Sequence, residues 1–176
     1  MDSAQVVEQI SEHKADIGFT GTVLEKKHCK YIPFYRDEMV IITPNSGRYQ
    51  AIDRESGDIS WICQETMLMR EEGSGTRKEA ERQLAELGIL PERLNIMASI
   101  GNQETIKKSV IQGLGISILS NLAVREETES GKLLTFSIPS ERSGRNINVV
   151  YNKNYQLSKS AKRFLRTVKE AYREKE

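Results

Sequence analysis

The residues able to do chemistry gather mainly at one turn. Gly73, Ser74, Gly75 and Thr76 form a Gly-Ser-Gly-Thr string between an apolar run (Met67, Leu68, Met69) and a segment with apolar residues at Ala80, Leu84 and Leu87. That i, i+4, i+7 spacing marks one face of a helix, so the string reads as the turn of a strand-turn-helix unit. Glycines let a backbone approach a bound group, first-turn amides have no intrahelical partner, and two hydroxyls sit beside them. Such a turn can hold a small anion. The same residue types also make a plain helix cap, and the turn alone leaves both readings open. It lacks the Gly-x-x-x-x-Gly-Lys-Ser/Thr spacing of a nucleotide loop and the Gly-x-Gly-x-x-Gly of a dinucleotide fold.

Other reactive groups are scattered. Glu71, Glu72 and Glu104 offer carboxylates, but no nucleophile beside a base, no metal cluster and no cofactor motif accompanies them, so turnover is not expected. His13 and His28 do not fall at metal-ligand spacing, and Cys29 and Cys63 stand singly, which suggests neither a disulfide framework nor a metal site. The expectation is a chain without cofactor or metal in a reducing cytoplasm.

Composition narrows the class further. The 176 residues are 38% hydrophobic and 29% charged, as in a globular protein, with a net charge of +1 that predicts no nucleic-acid surface. No apolar run approaches the ~18 residues of a spanning helix, and the first residues do not form a secretory signal, so no membrane partner is expected.

Stepping along the chain, Asp2 and Gln5 make a possible capping box for a helix carrying Val6, Val7 and Ile10. Ile17, Gly18 and Phe19 read as a short buried strand that leaves into Thr20, Gly21 and Thr22. Residues 31–36 and 38–43 are two β-rich runs separated by Asp37, and 45–58 read as a loop, after which Trp61 and Ile62 bury. Thr76 and Glu79 form a Thr-x-x-Glu capping box at the start of the helix after the Gly-Ser-Gly-Thr turn, and Gly88 and Pro91 mark its end. Residues 94–100 are a strand, Asn102 is the N-cap of a helix with Ile106, Val110 and Ile111, and 115–119 are a strand whose successor helix Ser120 caps. Strands at 133–138 and 147–151 follow. The tail from Ser158 is an amphipathic helix with Ala161, Phe164, Leu165, Val168 and Tyr172 on one face. Alternating strands and helices predict an α/β fold with parallel sheets and ligand-facing turns at strand carboxyl ends.

Several of these strings together carry a resemblance. Residues 15–19 (Ala-Asp-Ile-Gly-Phe), 70–77 (Arg-Glu-Glu-Gly-Ser-Gly-Thr-Arg), 104–107 (Glu-Thr-Ile-Lys), 113–116 (Gly-Leu-Gly-Ile) and Leu119-Ser120 resemble, in order and spacing, the effector-binding domain of LysR-type transcriptional regulators. The resemblance covers nearly the whole chain. It implies a type II periplasmic-binding-protein-like fold, with two α/β lobes joined by two crossover strands and a small effector in the cleft. Lobe one would be residues 1–42 and 147–176, and lobe two 43–146. Carried over residue by residue, the effector-side positions are Gly21 and Thr22, then Gly73, Ser74, Gly75 and Thr76, then Asn102, Gln103 and Glu104.

A full regulator of this family begins with a winged helix-turn-helix and a linker helix, followed by a first strand and helix of lobe one. All of these precede the position of Asp2. The resemblance therefore implies an N-terminally truncated effector domain with lobe one incomplete, which would bind a small anionic effector, form a homo-oligomer and reach DNA only through the missing N-terminal domain. The competing reading is a solute-binding protein of a transport system, which shares the two-lobed architecture and normally carries a secretory signal or lipidation cysteine.

Overall fold

The computed structural model of the chain describes residues 3–24, 26–54, 56–140 and 144–172. The chain forms two compact units, Met1–Asp37 with Arg145–Glu176, and Glu38–Gly144. The first is assembled from both chain ends and the second from one continuous segment.

In the first unit, helix α1 (Ser3–Ser11) leads to strands β1 (Gly18–Thr20) and β2 (Cys29–Asp37), and the last strand, β8 (Arg145–Asn152), lies between them in the order β1-β8-β2, antiparallel to both. One sheet face takes α1, where Val7, Ile10 and Val150 bury together. Gly18 sits on that face, and a Cβ there would lie 2.4 Å from Cγ1 of Val6, so glycine is what lets the helix approach the sheet. Phe19 points the opposite way and is 41% exposed, against the expectation of a buried strand, because alternate residues of a strand face opposite sides. Its ring meets Phe164 of the terminal helix α6 (Lys159–Ala171). Ser158 caps α6 through Ala161 N and also donates to Asp16 across the unit. The Asp2 cap lies outside the described residues.

The two expected β-rich runs are separate strands, but the break between them falls at Glu38 and not at Asp37. Asp37 ends β2 and is buried, where it accepts from Nε and Nη2 of Arg145, each at 3.3 Å. An ion pair makes burial of an acidic residue tolerable, and its partner is distant in sequence. The register of β2 against β8 shifts between Pro33 and Tyr35, at the residue that has no N–H for the ladder.

The second unit holds β3 (Met39–Pro44), α2 (Gly47–Gln50), β4 (Thr66–Arg70), α3 (Gly75–Glu86), β5 (Asn95–Ile100), α4 (Gln103–Ile111), β6 (Ile116–Ser120), α5 (Asn121–Glu129) and β7 (Leu133–Ser137). The sheet order is β5-β4-β6-β3-β7. β4 is parallel to β5 and β6, joined by helical crossovers, whereas β3 is antiparallel to β6 and β7. The expected all-parallel arrangement is therefore mixed here and fully antiparallel in the first unit, where β1, β2 and β8 are not joined by helical crossovers.

Both faces of this sheet are covered, as the apolar run of β3 requires. Met39, Ile41, Met67, Met69, Ile116 and Ile118 face one layer with Ala80 and Leu84 of α3. Val40, Ile42, Leu68 and Leu119 face the other, with Ile106 and Val110 of α4 and Val124 of α5. Each such side chain contributes about 1.5–3 kcal/mol on burial. Residues 45–58 are not all loop: α2 places Tyr49 in the first layer beside Ile62 and Trp61. α3 ends in a Schellman arrangement, with Ile89 N to Leu84 O and Gly88 N to Ala85 O, and Gly88 at φ +73° supplies the left-handed residue.

Candidate functional site

β4 and β5 run side by side with Arg70 opposite Ile100, so the turns that follow them leave the same edge of the sheet. Ser74 is buried, and its Oγ accepts from Thr76 N at 3.2 Å and Arg77 N at 3.4 Å. It is thus the N-cap of α3, two residues ahead of the expected Thr76–Glu79 box. Thr76 is buried inside the first turn, and Glu79 instead accepts from Arg82 and Gln83. At the end of β5, Asn102 Oδ1 accepts from Thr105 N at 3.1 Å, as expected of an N-cap. Gln103 and Glu104 open α4, with Glu104 exposed. β6, on the other side of β4, ends in Ser120, which caps α5 through Ala123 N. Three helix N-termini therefore follow three adjacent parallel strands, the kind of strand edge that holds ligands in α/β sheets. Gly73, Ser74, Gly75 and Thr76 lie at the middle one, and Asn102, Gln103 and Glu104 at its neighbour.

Two arginines flank the middle turn. Arg70, buried at the end of β4, donates from Nε and Nη2 to both oxygens of Glu71, at 2.8 and 2.7 Å. That bidentate bond holds the Glu71 carboxyl below the usual carboxylate range. Arg77 donates to Arg70 O and pairs with Glu81. Glu71 is thus committed to Arg70 and stays ionised, which is a structural use of the carboxylate.

Glu104 is drawn toward α5. Lys107 Nζ, almost wholly buried, lies 2.8 Å from Glu104, 2.7 Å from Glu127 and 3.1 Å from Ala123 O. Burial alone would lower the Lys107 ammonium, but its hydrogen bonds to Glu104 and Glu127 outweigh burial and raise it. Burial likewise pushes the Glu127 carboxyl up, and the Lys107 hydrogen bond overrides it downward. The sequence reading missed Lys107 because its Glu127 partner lies on the next helix.

Gly21 and Thr22 follow β1 in the first unit. A Cβ on Gly21 would stand 2.8 Å from Cζ and Nη1 of Arg145, the guanidinium already held by Asp37. Glycine at that position therefore leaves room for Arg145 against the backbone. Beside it, Thr20 is 2% exposed and its Oγ1 has no hydrogen-bond partner, so a buried hydroxyl at the end of β1 awaits one. Among the described residues no group of His, Cys, Asp and Glu is placed to hold a metal.

Comparison with known proteins places this geometry in a family. The LysR substrate binding domain matches residues 1–173, and the chain belongs to that family. It is 26% identical over 171 residues to the HTH-type transcriptional regulator CysL of Bacillus subtilis, covering 97% of this chain and 56% of CysL. It is 28% identical over 161 residues to the transcriptional activator CmpR of Synechocystis, covering 92% of this chain and 51% of CmpR. The chain thus spans about half the length of these relatives. Among solved structures it is similar to the Synechocystis CcmR regulatory domain in complex with 2-PG, with a TM-score of 0.83 at 21% identity over 99% of this chain and 82% of that one. The effector binding domain of QuiR in complex with shikimate gives a TM-score of 0.82 at 17% identity, over 98% and 78%. The fold is that of the type II periplasmic-binding-protein-like domains. No described helix is long and apolar enough to cross a membrane.

Proposed function

We propose that this effector-binding domain senses a small anionic molecule and, within a longer cytoplasmic regulator that works as a homo-oligomer, passes that signal to a DNA-binding winged helix-turn-helix. The observation that carries the reading is the row of N-termini of α3, α4 and α5 behind adjacent parallel strands. One helix N-terminus favours an anion by about 0.3–1 kcal/mol, and at most ~2. Each hydrogen bond to a charged group adds about 1.5–3 kcal/mol net, so three of them approach the ~8 kcal/mol of micromolar binding. The effector contacts assigned are residues 73–76 and 102–104, with Gly21 and Thr22 beside the orphan Thr20 hydroxyl. The complexes of CcmR with 2-PG and of QuiR with shikimate support a small-molecule ligand for domains of this kind.

Titration of isotope-labelled protein with phosphate and with a dicarboxylate such as malate tests this. The amides of Gly75, Thr76 and Arg77 are expected to shift saturably for at least one of them. The Ser74→Ala, Thr76→Val double variant should weaken that binding about tenfold or more. Equal affinity in the double variant would show that the turn only caps α3.

A further inference from the structure

Helix α4 opens on a residue that works against an anion site. Asn102 is its N-cap, Gln103 and Glu104 follow, and Glu104 is the one acidic residue of the first turn. The Asn102 side chain serves a single amide, Thr105 N, and its carbonyl takes Ile106 N. The amides of Gln103 and Glu104 therefore have no acceptor among the described residues, as the first amides of a helix have none within it. A carboxylate in the first turn is favoured beside such amides by the helix dipole. Left to itself, Glu104 is placed to serve as the turn's own anion and to repel one from outside.

The structure uses Glu104 otherwise. Its Oε1 lies 2.8 Å from Nζ of Lys107, three residues on, where helix side chains meet. Lys107 is only 7% exposed, and its ammonium is pinned from α5 as well, 2.7 Å from Glu127 and 3.1 Å from Ala123 O. An ammonium has three hydrogens, and here three acceptors take them. Glu104, 65% exposed, thus bonds to a cation that a second helix holds in place. Exposed pairs of two mobile side chains are worth little, but in this pair one partner is already ordered.

We infer that Lys107 is the residue that opens the α4 turn to an anion: it holds and neutralises Glu104 and so leaves the amides of Gln103 and Glu104 to the effector. This inference rests on the reading of these turns as effector-binding. Lys107 is a positioning residue there, acting through Glu104. Its role explains how a carboxylate stands within an anion-binding turn, and it makes the affinity of the α4 turn depend on α5, which supplies the other two acceptors.

Lys107→Met alone strips Glu127 of its partner, so the main test removes the buried pair together, as Lys107→Met with Glu127→Leu, and then adds Glu104→Gln. Isotope-labelled proteins are titrated with inorganic phosphate and read at the amides of Gln103 and Thr105. The wild type is expected to shift saturably, the double variant to bind about tenfold more weakly, and the triple variant to return to within about threefold of wild type. Glu104→Gln alone, at an exposed position, is expected to strengthen binding by no more than about threefold. If Lys107 only packs α4 against α5, freeing Glu104 has no effect on the anion. Equal affinity in the double variant and wild type, or a triple variant as weak as the double, would therefore overturn the inference. So would a gain of about tenfold or more in Glu104→Gln alone, which shows Glu104 repelling the anion despite Lys107. Saturable shifts at Gly75 and Thr76 with none at Gln103 and Thr105 overturn it while leaving the α3 turn as an effector contact, and a wild type without saturable shifts at either turn overturns the effector reading and this inference together.

Discussion

At the scale of single residues, the side chains that matter most are those with a distant or unexpected partner. Tyr49 donates its hydroxyl to Glu65 Oε2 at 2.8 Å, while Arg48 pairs with the other oxygen. Burial, then the bond to Glu65, pushes the Tyr49 phenol up to about 12. A group whose folded pKa is raised gives stability that is complete below its unfolded value near ~10 and is lost as pH climbs through the folded one. Absorbance titration should therefore show one tyrosine ionising late, absent in Tyr49→Phe, and that variant should lose about 1–2 kcal/mol because Glu65 forfeits a buried donor. Ser74→Ala removes the cap of α3 and should cost about 1 kcal/mol in urea unfolding. The caps at Asn102 and Ser120 were legible in the sequence, because a cap is read by residues two or three positions away, whereas the cap of α3 fell at Ser74 and not at Thr76. The Arg145–Asp37 pair was not legible, since its members stand 108 residues apart.

At the scale of elements, α4 and α5 are clamped by Lys107, which reaches Glu104 on its own helix and Glu127 on the other. Lys107→Met leaves Glu127 short of its counter-charge and should destabilise the protein by about 1–3 kcal/mol. Adding Glu127→Leu should recover much of that loss, since a buried pair is often replaceable by apolar residues. The sign of the pH dependence is opposite for the two partners. Lys107, raised, gives stability that fades as pH rises through its folded value, and Glu127, lowered, gives stability that fades as pH falls through its own. Chemical unfolding at several pH values should thus show the effect of Lys107→Met narrowing at both alkaline and acid extremes. Element types followed from periodicity, but strand direction did not. β3 is an apolar run like the parallel strand β4, and nothing local tells whether a run pairs with a neighbour up or down.

At the scale of the whole molecule, Phe19, Phe164 and Tyr172 are 41%, 49% and 43% exposed, and the rings of Phe164, Phe19, Phe34 and Tyr172 touch in that succession. A patch of that kind on a sheet ending in the three-residue edge strand β1 favours association. Light scattering is expected to show species larger than a monomer at micromolar concentration, and Phe164→Glu should shift them toward monomer. The net charge of +1 gives no basic field, so a mobility shift with duplex DNA at moderate salt should show no sequence-specific band from this chain. The central place of β8 bears on how the chain matures during synthesis. β1 and β2 pair with β8 and not with one another, so neither strand has a sheet neighbour until residues near 152 have been translated. The Glu38–Gly144 segment emerges complete before then and can fold first, reversing the usual N-terminal-first order. On a stalled ribosome, β3 and β6 should gain amide protection while β1 remains exchange-competent, and closing a loop of that length makes the first unit the slow step.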